Sequence, residues 1–279
     1  MRCLGINSII KQVKVMSRIL ITACVVIFTT SALFAQQPTA DSIATEPKQA
    51  RWANVIEGDS LLALAGANGK LDYAVFGQVA RNDEQYNALV TRFENLDGKF
   101  ELSDIFVLYY GQAFRDDFAG GHISGVITPE TSDFEAAYNE CCQKLAKSPT
   151  SLRLLGEAGM LAHKLNLPEE VAKKYRIRYL LIREVITLTG DGTFDQPYKV
   201  VHISDEYEIL FSLLGATSIV TQGVASGATI MDRITYTIKS ATTDPVTNEQ
   251  QLEQQDVYFD IELPMAYLQK MFLGGGKKR

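Results

Sequence analysis

"LTGDGTFDQPYKVVHISDEYEIL", residues 188–210, decides how the chain divides. Before it, apolar residues recur at helical spacing; after it, they alternate. Acids, glycines, a histidine and a serine are packed into it, so it reads either as a site or as the junction between two structural regimes. Five residues, Asp191, His202, Ser204, Asp205 and Glu206, hold the ingredients of an acid–base centre. Each also has a local role. Gly190 fits the position after a helix, Asp191–Gly192 fits a turn, and His202 fits a strand position between Val201 and Ile203. Ser204 is placed as an N-cap, with Asp205 and Glu206 complementing the positive end of a helix over 205–214. Spacing favours capping, because geometry rather than residue type defines a catalytic site.

Upstream, the pattern is helical from about residue 61 to 190. In "SDIFVLYYGQAF", Ser103 is the expected N-cap, and Phe106, Tyr109, Tyr110, Ala113 and Phe114 fall on one face. "RDDFAGGHISGVITPE" (115–130) is a polar, Gly-rich loop. "SDFEAAYNECCQKLAK" carries a Ser132/Glu135 capping box and a stripe that includes Cys141 and Cys142. Ser148–Pro149 is expected to open a helix that is apolar on two faces, and Pro168 the next, with Ala172, Tyr175, Tyr179, Ile182 and Ile186 inward.

Downstream, residues 191–273 read as α+β. "ATIMDRITYTIK" alternates with Ile230, Ile234, Tyr236 and Ile238 inward, and "DVYFDIEL" with Val257, Phe259 and Ile261 inward. "KVVHI" and "ATSIVTQ" are weaker strands. "SDEYEILFSLLG" and "PMAYLQKMFLG" are short helices closed by Gly215 and Gly274, and 241–255 is a long polar connection. The expected fold is therefore α+β: a helical N-terminal half packed on a small antiparallel sheet with two helices.

The first 35 residues form a separate unit. Lys11, Lys14 and Arg18 precede 17 uncharged residues, Ile19 to Ala35, as in a secretory signal peptide cleaved after Ala35; Met1 and Met16 both fit as the start. A relaxed lipobox, "ITAC", makes a lipoprotein anchored at Cys24 the alternative. Residues 36–60 form a polar lead-in, and 274–279 a basic tail. Losing the signal removes four basic residues and no acid, taking the net charge from −6 to −10 and disfavouring nucleic acid as a partner. No membrane span is expected after cleavage. Only Cys141 and Cys142 would remain, too close in sequence to form a disulfide framework, so a core must hold the fold.

The motifs that would assign chemistry are missing from the sequence. There is no G-x-S-x-G elbow, Walker loop or dinucleotide fingerprint, so no cofactor is expected. His122, His163 and His202 are not at ligand spacing, Cys141–Cys142 is not C-x₂-C, and "GDGTFD" lacks the ligand order of a calcium loop. The carboxylates of "RDDF" read as solvated loop acids. Catalytic, cofactor and metal residues are therefore expected to be none.

Helices over 132–146, 149–166 and 168–189 lie about one tetratricopeptide spacing apart. Ala137, Cys141 and Pro149 match one degenerate unit, and Gly159 with Ala172 and Tyr175 part of another. Together with "LYYGQAFRDDF" (108–118), "GDGTFDQPYKVVHISDEYEILFSLLG" (190–215) and "VYFDIELPMAYLQKMF" (257–272), this order resembles the bacterial family of domains of unknown function (DUF) 4919, over roughly residues 70–273. The resemblance implies an exported bacterial protein, helical first and α+β at the end, with no established activity and no catalytic residue to carry over. The expected function is a non-enzymatic protein- or peptide-interaction module of the periplasm or cell surface. The alternative is a hydrolase or small-ligand-binding protein with a cleft between the two halves.

Overall fold

A tertiary contact chooses between two possible starts for one of the helices. The computed structural model describes residues 59–66, 71–118, 120, 123–243 and 250–274. The expected signal segment 1–35 with Cys24, the lead-in to residue 58, His122, residues 244–249 and the tail from 275 lie outside them. Asp59 caps α1 (Ser60–Ala65) through Leu62 N–H and accepts a second hydrogen bond, 2.9 Å, from Ser103 N–H. That contact places Ser103 inside α4 (Leu102–Tyr109) and not at its cap. Glu101 caps α4 instead, in a capping box with Asp104. Between α1 and α4 run α2 (Tyr73–Ala80) and α3 (Asp83–Asn95), capped by Asp72 and Asn82. From Ile105 to Tyr110 every residue is buried, so α4 is an internal helix rather than a one-faced one.

After a 3₁₀ turn at Gly111–Phe114 come α5 (Phe134–Leu145), α6 (Leu152–Lys164) and α7 (Glu169–Thr187). Asp133 rather than Ser132 caps α5, and Ser151 caps α6 three residues beyond the expected start. Pro168 precedes α7 as expected. Leu152, Leu154, Leu155, Ala158 and Leu161 are fully buried, which gives α6 its two apolar faces. At Gly159 a Cβ would lie 3.6 Å from the Tyr175 Cβ, so α6 and α7 meet closely there.

The junction then folds back on itself. Leu188, not a left-handed glycine, caps α7, and Gly190 serves a different need. A Cβ there would sit 2.4 Å from the carbonyl oxygens of both Gln196 and Pro197. Gly192 does take the left-handed conformation, φ 76°, against Tyr198 and Val257. The chain enters the sheet as β1 (Tyr198–Lys199), then forms α8 (Ile203–Ser212), β2 (Ser218–Ser226), β3 (Ile230–Thr243), β4 (Gln250–Asp260) and α9 (Glu262–Gly274). Strand order is β1-β4-β3-β2. β1 pairs parallel with β4, Tyr198 against Phe259, so the sheet is mixed and not purely antiparallel. Most of the expected 241–255 connection is strand, paired down to Thr243 with Gln250. Its polar residues line a two-stranded ladder and concealed the strand period.

Val257, Phe259 and Ile261 are buried as the alternation requires, as are Ile234 and Tyr236. Ile230 is exposed instead, and Thr237 is buried beneath hydroxyl contacts to Thr217 and Ser218, both 2.7 Å. One cluster of buried side chains runs from Leu62 in α1 to Met265 in α9. The change of period at residue 190 is thus a change of secondary structure across a shared core.

The two cysteines separate. Cys141 is buried, donates to the Leu154 carbonyl, and is pushed up to about 12 by burial; Cys142 is half-buried beside the Tyr175 hydroxyl. Alkylation of native protein followed by peptide mapping should find Cys142 modified first and Cys141 protected until denaturant is added. Equal rates for the two would contradict the burial difference.

Candidate functional site

Helix phase brings part of the candidate set together. His202 is the N-cap residue of α8, and Asp205 and Glu206 follow it by three and four positions, so all three lie on or near one face. All three are fully buried. Ser204, expected as the cap, lies inside the helix, buried, with no protein partner for its hydroxyl. Asp191 is elsewhere in character: exposed, with one carboxylate oxygen accepting from Thr193 N–H at 3.1 Å and the Thr193 hydroxyl at 2.7 Å. The expected turn is real there, and it stands outside the buried set.

Asp205 is the centre of a hydrogen-bonded relay. Its Oδ2 accepts from the Tyr109 hydroxyl at 2.7 Å, and its Oδ1 from Leu152 N–H at 3.3 Å. The Tyr109 oxygen in turn accepts from Val201 N–H at 3.1 Å. One carboxylate therefore closes the N-terminus of α6, anchors α4 and fixes the strand that enters α8. Burial pushes Asp205 up to about 8, against the pull of Tyr109 and the Leu152 N–H.

His202 does not complete a dyad with it. Among the described residues neither imidazole nitrogen has a hydrogen-bond partner, and the ring packs beside Phe118 at 5.7 Å. Burial alone lowers it to about 3, with no carboxylate acting on it, so it is a neutral core side chain. Glu206 faces Asp232 of β3. No N–H or O–H donor among the described residues reaches its oxygens. Burial raises it well above the carboxylate range, and the Asp232 carboxyl raises it further. Asp232 accepts from Gln222 Nε2 at 3.1 Å, Gln222 accepts from the Tyr207 hydroxyl at 2.8 Å, and burial raises Asp232 to about 6. A protonated Glu206 can donate to Asp232, and that hydrogen bond lowers Asp232 against the upward push of burial.

Three further polar constellations were not read from the sequence. Lys199 Nζ pairs with Asp260 at 2.6 Å between β1 and β4, and the Lys199 carbonyl accepts from the Tyr110 hydroxyl. Arg153 bridges Glu157 at 2.7 Å and Glu208 at 3.3 Å, while Glu157 also accepts from Val126 N–H. Arg178 is buried with its guanidinium against Phe93 and Tyr175. Glu157 and Arg178 interrupt apolar stripes in the sequence, which is the signal that could have flagged them.

Two clefts open on the helical half. A cleft of about 290 Å³ is lined by Arg81, Asp83, Arg115, Asp116 and Asp117. A second, of about 130 Å³, shares Arg115 and Asp117 and is bordered by Tyr86, Asn87, Val90, Phe118 and Pro149. Arg115 stacks on Tyr86 at 4.3 Å and pairs with Asp83 and Asp117, so its charge is neutralised internally. Neither of these two clefts is lined by Asp191, His202, Ser204, Asp205 or Glu206.

A family model described as "Domain of unknown function (DUF4919)" matches residues 78–269. No curated protein and no solved structure matches.

Two outcomes follow from the buried acids. Ser204→Ala should change stability by less than about 0.5 kcal/mol in denaturant titration, because no cap bond is lost; a cost near 1 kcal/mol would restore the N-cap role. The carboxyls of Asp205, Glu206 and Asp232 hold protons more tightly folded than unfolded. Their contribution is complete below about pH 4 and is lost as pH rises through the folded values, about 6 for Asp232 and about 8 for Asp205. His202 has the opposite sign, costing stability as pH falls below its ordinary value of 6.5 towards about 3. Between pH 6.5 and 9 the acids therefore dominate this set. Glu206→Gln should flatten the decline in that window and be more stable than wild type at pH 8, by ~1 kcal/mol; an unchanged slope would remove Glu206 from the account.

Proposed function

The chain belongs to the DUF4919 family, and from that premise we propose that it is a non-enzymatic protein- or peptide-interaction module of the bacterial cell envelope. The observation that carries this reading is the cleft bordered by Tyr86, Asn87, Val90, Phe118 and Pro149. It is open, combines aromatic and aliphatic walls with amide and carboxylate groups, and lies on the helical half. Such a lining suits a peptide segment, which needs apolar pockets and a few fixed polar partners. The hydrolase alternative required Asp191, His202 and Asp205 to converge on a cleft. His202 and Asp205 are sealed in the core, and Asp191 is exposed.

The tetratricopeptide-like spacing read in the sequence over 132–189 supports the same reading, since repeats of that kind present extended binding surfaces. Export through residues 1–35 supplies the location, with periplasm or cell surface as the destination and a lipid anchor on Cys24 as the alternative. Among the described residues no helix is long and apolar enough to cross a membrane.

Crosslinking in the native envelope tests the proposal. Partners captured by wild type should be lost from Asn87→Arg, which fills the cleft from an exposed position, while its thermal unfolding stays unchanged. Retention by the variant, or hydrolytic turnover by the purified protein, would overturn it. Mass spectrometry of the mature protein should place its N-terminus near Gln36; an intact Met1 or Met16 would refute export.

A further inference from the structure

α8 meets the sheet through a ring of four side chains. The Tyr207 hydroxyl donates to Gln222 Oε1 on β2 at 2.8 Å, and Gln222 Nε2 donates to Asp232 Oδ2 on β3 at 3.1 Å. Asp232 is in turn within hydrogen-bonding reach of Glu206, the residue before Tyr207, so the ring leaves α8 and returns to it. Asp232 is half-buried and keeps some access to water, whereas Glu206 is sealed. No N–H or O–H donor among the described residues reaches the Glu206 oxygens. β2 buries none of its residues fully; Ile219, Gln222 and Ala225 are half-buried and the others exposed. Beyond its ladder with β3, Gln222 therefore gives this strand its polar hold on α8.

Donors and acceptors around the ring balance only with one added proton. The Tyr207 hydroxyl and the Gln222 amide serve two of its three contacts. The third lies between two carboxyl groups and has no hydrogen unless one of them is protonated. The sealed member, Glu206, then donates and Asp232 accepts. Without that proton a carboxylate stands in the core with no donor and a second acid against it, which is costly on both counts. No cation is placed to take the proton's part. β2 carries no charged side chain, and on β3 the exposed Arg233 is paired with Asp256 at 2.6 Å. On α8 the neighbouring titratable groups are Asp205, which is a further acid, the neutral His202, and Glu208, which pairs with Arg153.

We infer that the Glu206–Asp232 contact is a proton-dependent latch, which holds the β2–β3 side of the sheet on α8 and releases it when the shared proton is lost, while the helical core stays folded. In opening, Glu206 gives its proton to solvent, the hydrogen bond to Asp232 breaks, and the new carboxylate gains water as the seam parts. Asp205 behaves differently when it ionises, because the Tyr109 hydroxyl and the Leu152 N–H still donate to it. That relay keeps α8 seated on α4 and α6, and the Lys199–Asp260 pair keeps β1 on β4. One proton governs the latch, so opening rises by up to about tenfold per pH unit once Glu206 ionises. The device is independent of what the helical cleft binds.

Hydrogen exchange followed from about pH 6 to about pH 9, corrected for the intrinsic exchange rate, tests the latch. In wild type the amides of 218–226 that pair with β3 should lose protection by up to about tenfold per pH unit above neutral, while those of α4 and α6 keep theirs. Glu206→Gln, whose amide donates to Asp232 at any pH, should abolish this local loss. Asp232→Asn should abolish it independently, since its amide donates to an ionised Glu206 while its oxygen still accepts from Gln222. Equal loss of protection in β2, α4 and α6 would overturn the inference and assign the pH dependence to the whole fold, the Asp205 relay included. Protection in 218–226 that ignores pH would overturn it too, as would a local loss that persists in either folded variant.

Discussion

The buried carboxylate of Asp205 is the constraint on which the rest of the arrangement depends. It accepts from Tyr109 on α4 and from the first amide of α6, and through the Tyr109 oxygen it holds Val201. Sealing a carboxylate from water costs several kcal/mol unless donors replace the lost hydration. Here the two donors, the Tyr109 hydroxyl and the Leu152 N–H, come from segments far apart in sequence, so the acid is tolerated only when both are in place. That condition ties the helical half to the sheet-containing half more specifically than apolar packing can.

A second tie works beside it. Lys199 pairs with Asp260 across the parallel β1–β4 contact, while its carbonyl accepts from Tyr110 and its N–H donates to Thr189. Adjacent tyrosines on α4 thus reach two successive parts of the entering strand, Tyr110 at Lys199 and Tyr109 at Val201. Because α4 is buried on all sides, its two polar tips have no water to turn to, and the junction supplies their partners. The conspicuous residues of 188–210 are therefore used inward, to seat the sheet on the helices.

The Glu206–Asp232 pair belongs to the same economy of buried polarity but lacks a cation to satisfy it. Shared protonation lets the two acids coexist between α8 and the sheet, with Gln222 and Tyr207 extending the contact to β2. This makes the seat of β2 sensitive to proton activity, and the Asp205 relay is sensitive too, since burial raises that acid to about 8. Arg153 with Glu157 and Glu208 shows the opposite solution, in which a cation is buried between two carboxylates.

Much of this architecture was decided by local sequence. Helical period to residue 190, alternation around Ile234 and Phe259, the buried Cys141 and the α+β order all follow from spacing, because burial of a face selects residues at fixed intervals. Helix starts were displaced by up to three residues: Glu101 and Asp133 cap in place of Ser103 and Ser132, and Ser151 in place of Ser148. α8 starts at His202 with no side-chain cap bond, while the Asp59 contact draws Ser103 inside its helix. Tertiary structure alone decided the parallel pairing of Tyr198 with Phe259, the strand character of polar residues 250–255, and the fate of the candidate site. Five residues within sixteen positions looked like one centre. Folding exposed Asp191, buried His202 without a partner, and turned Asp205 and Glu206 towards different elements. Their partners, Tyr109, Leu152 and Asp232, lie 96, 53 and 26 residues away along the chain. No local period encodes contacts at such separations, because only the packed core brings these segments within hydrogen-bonding reach.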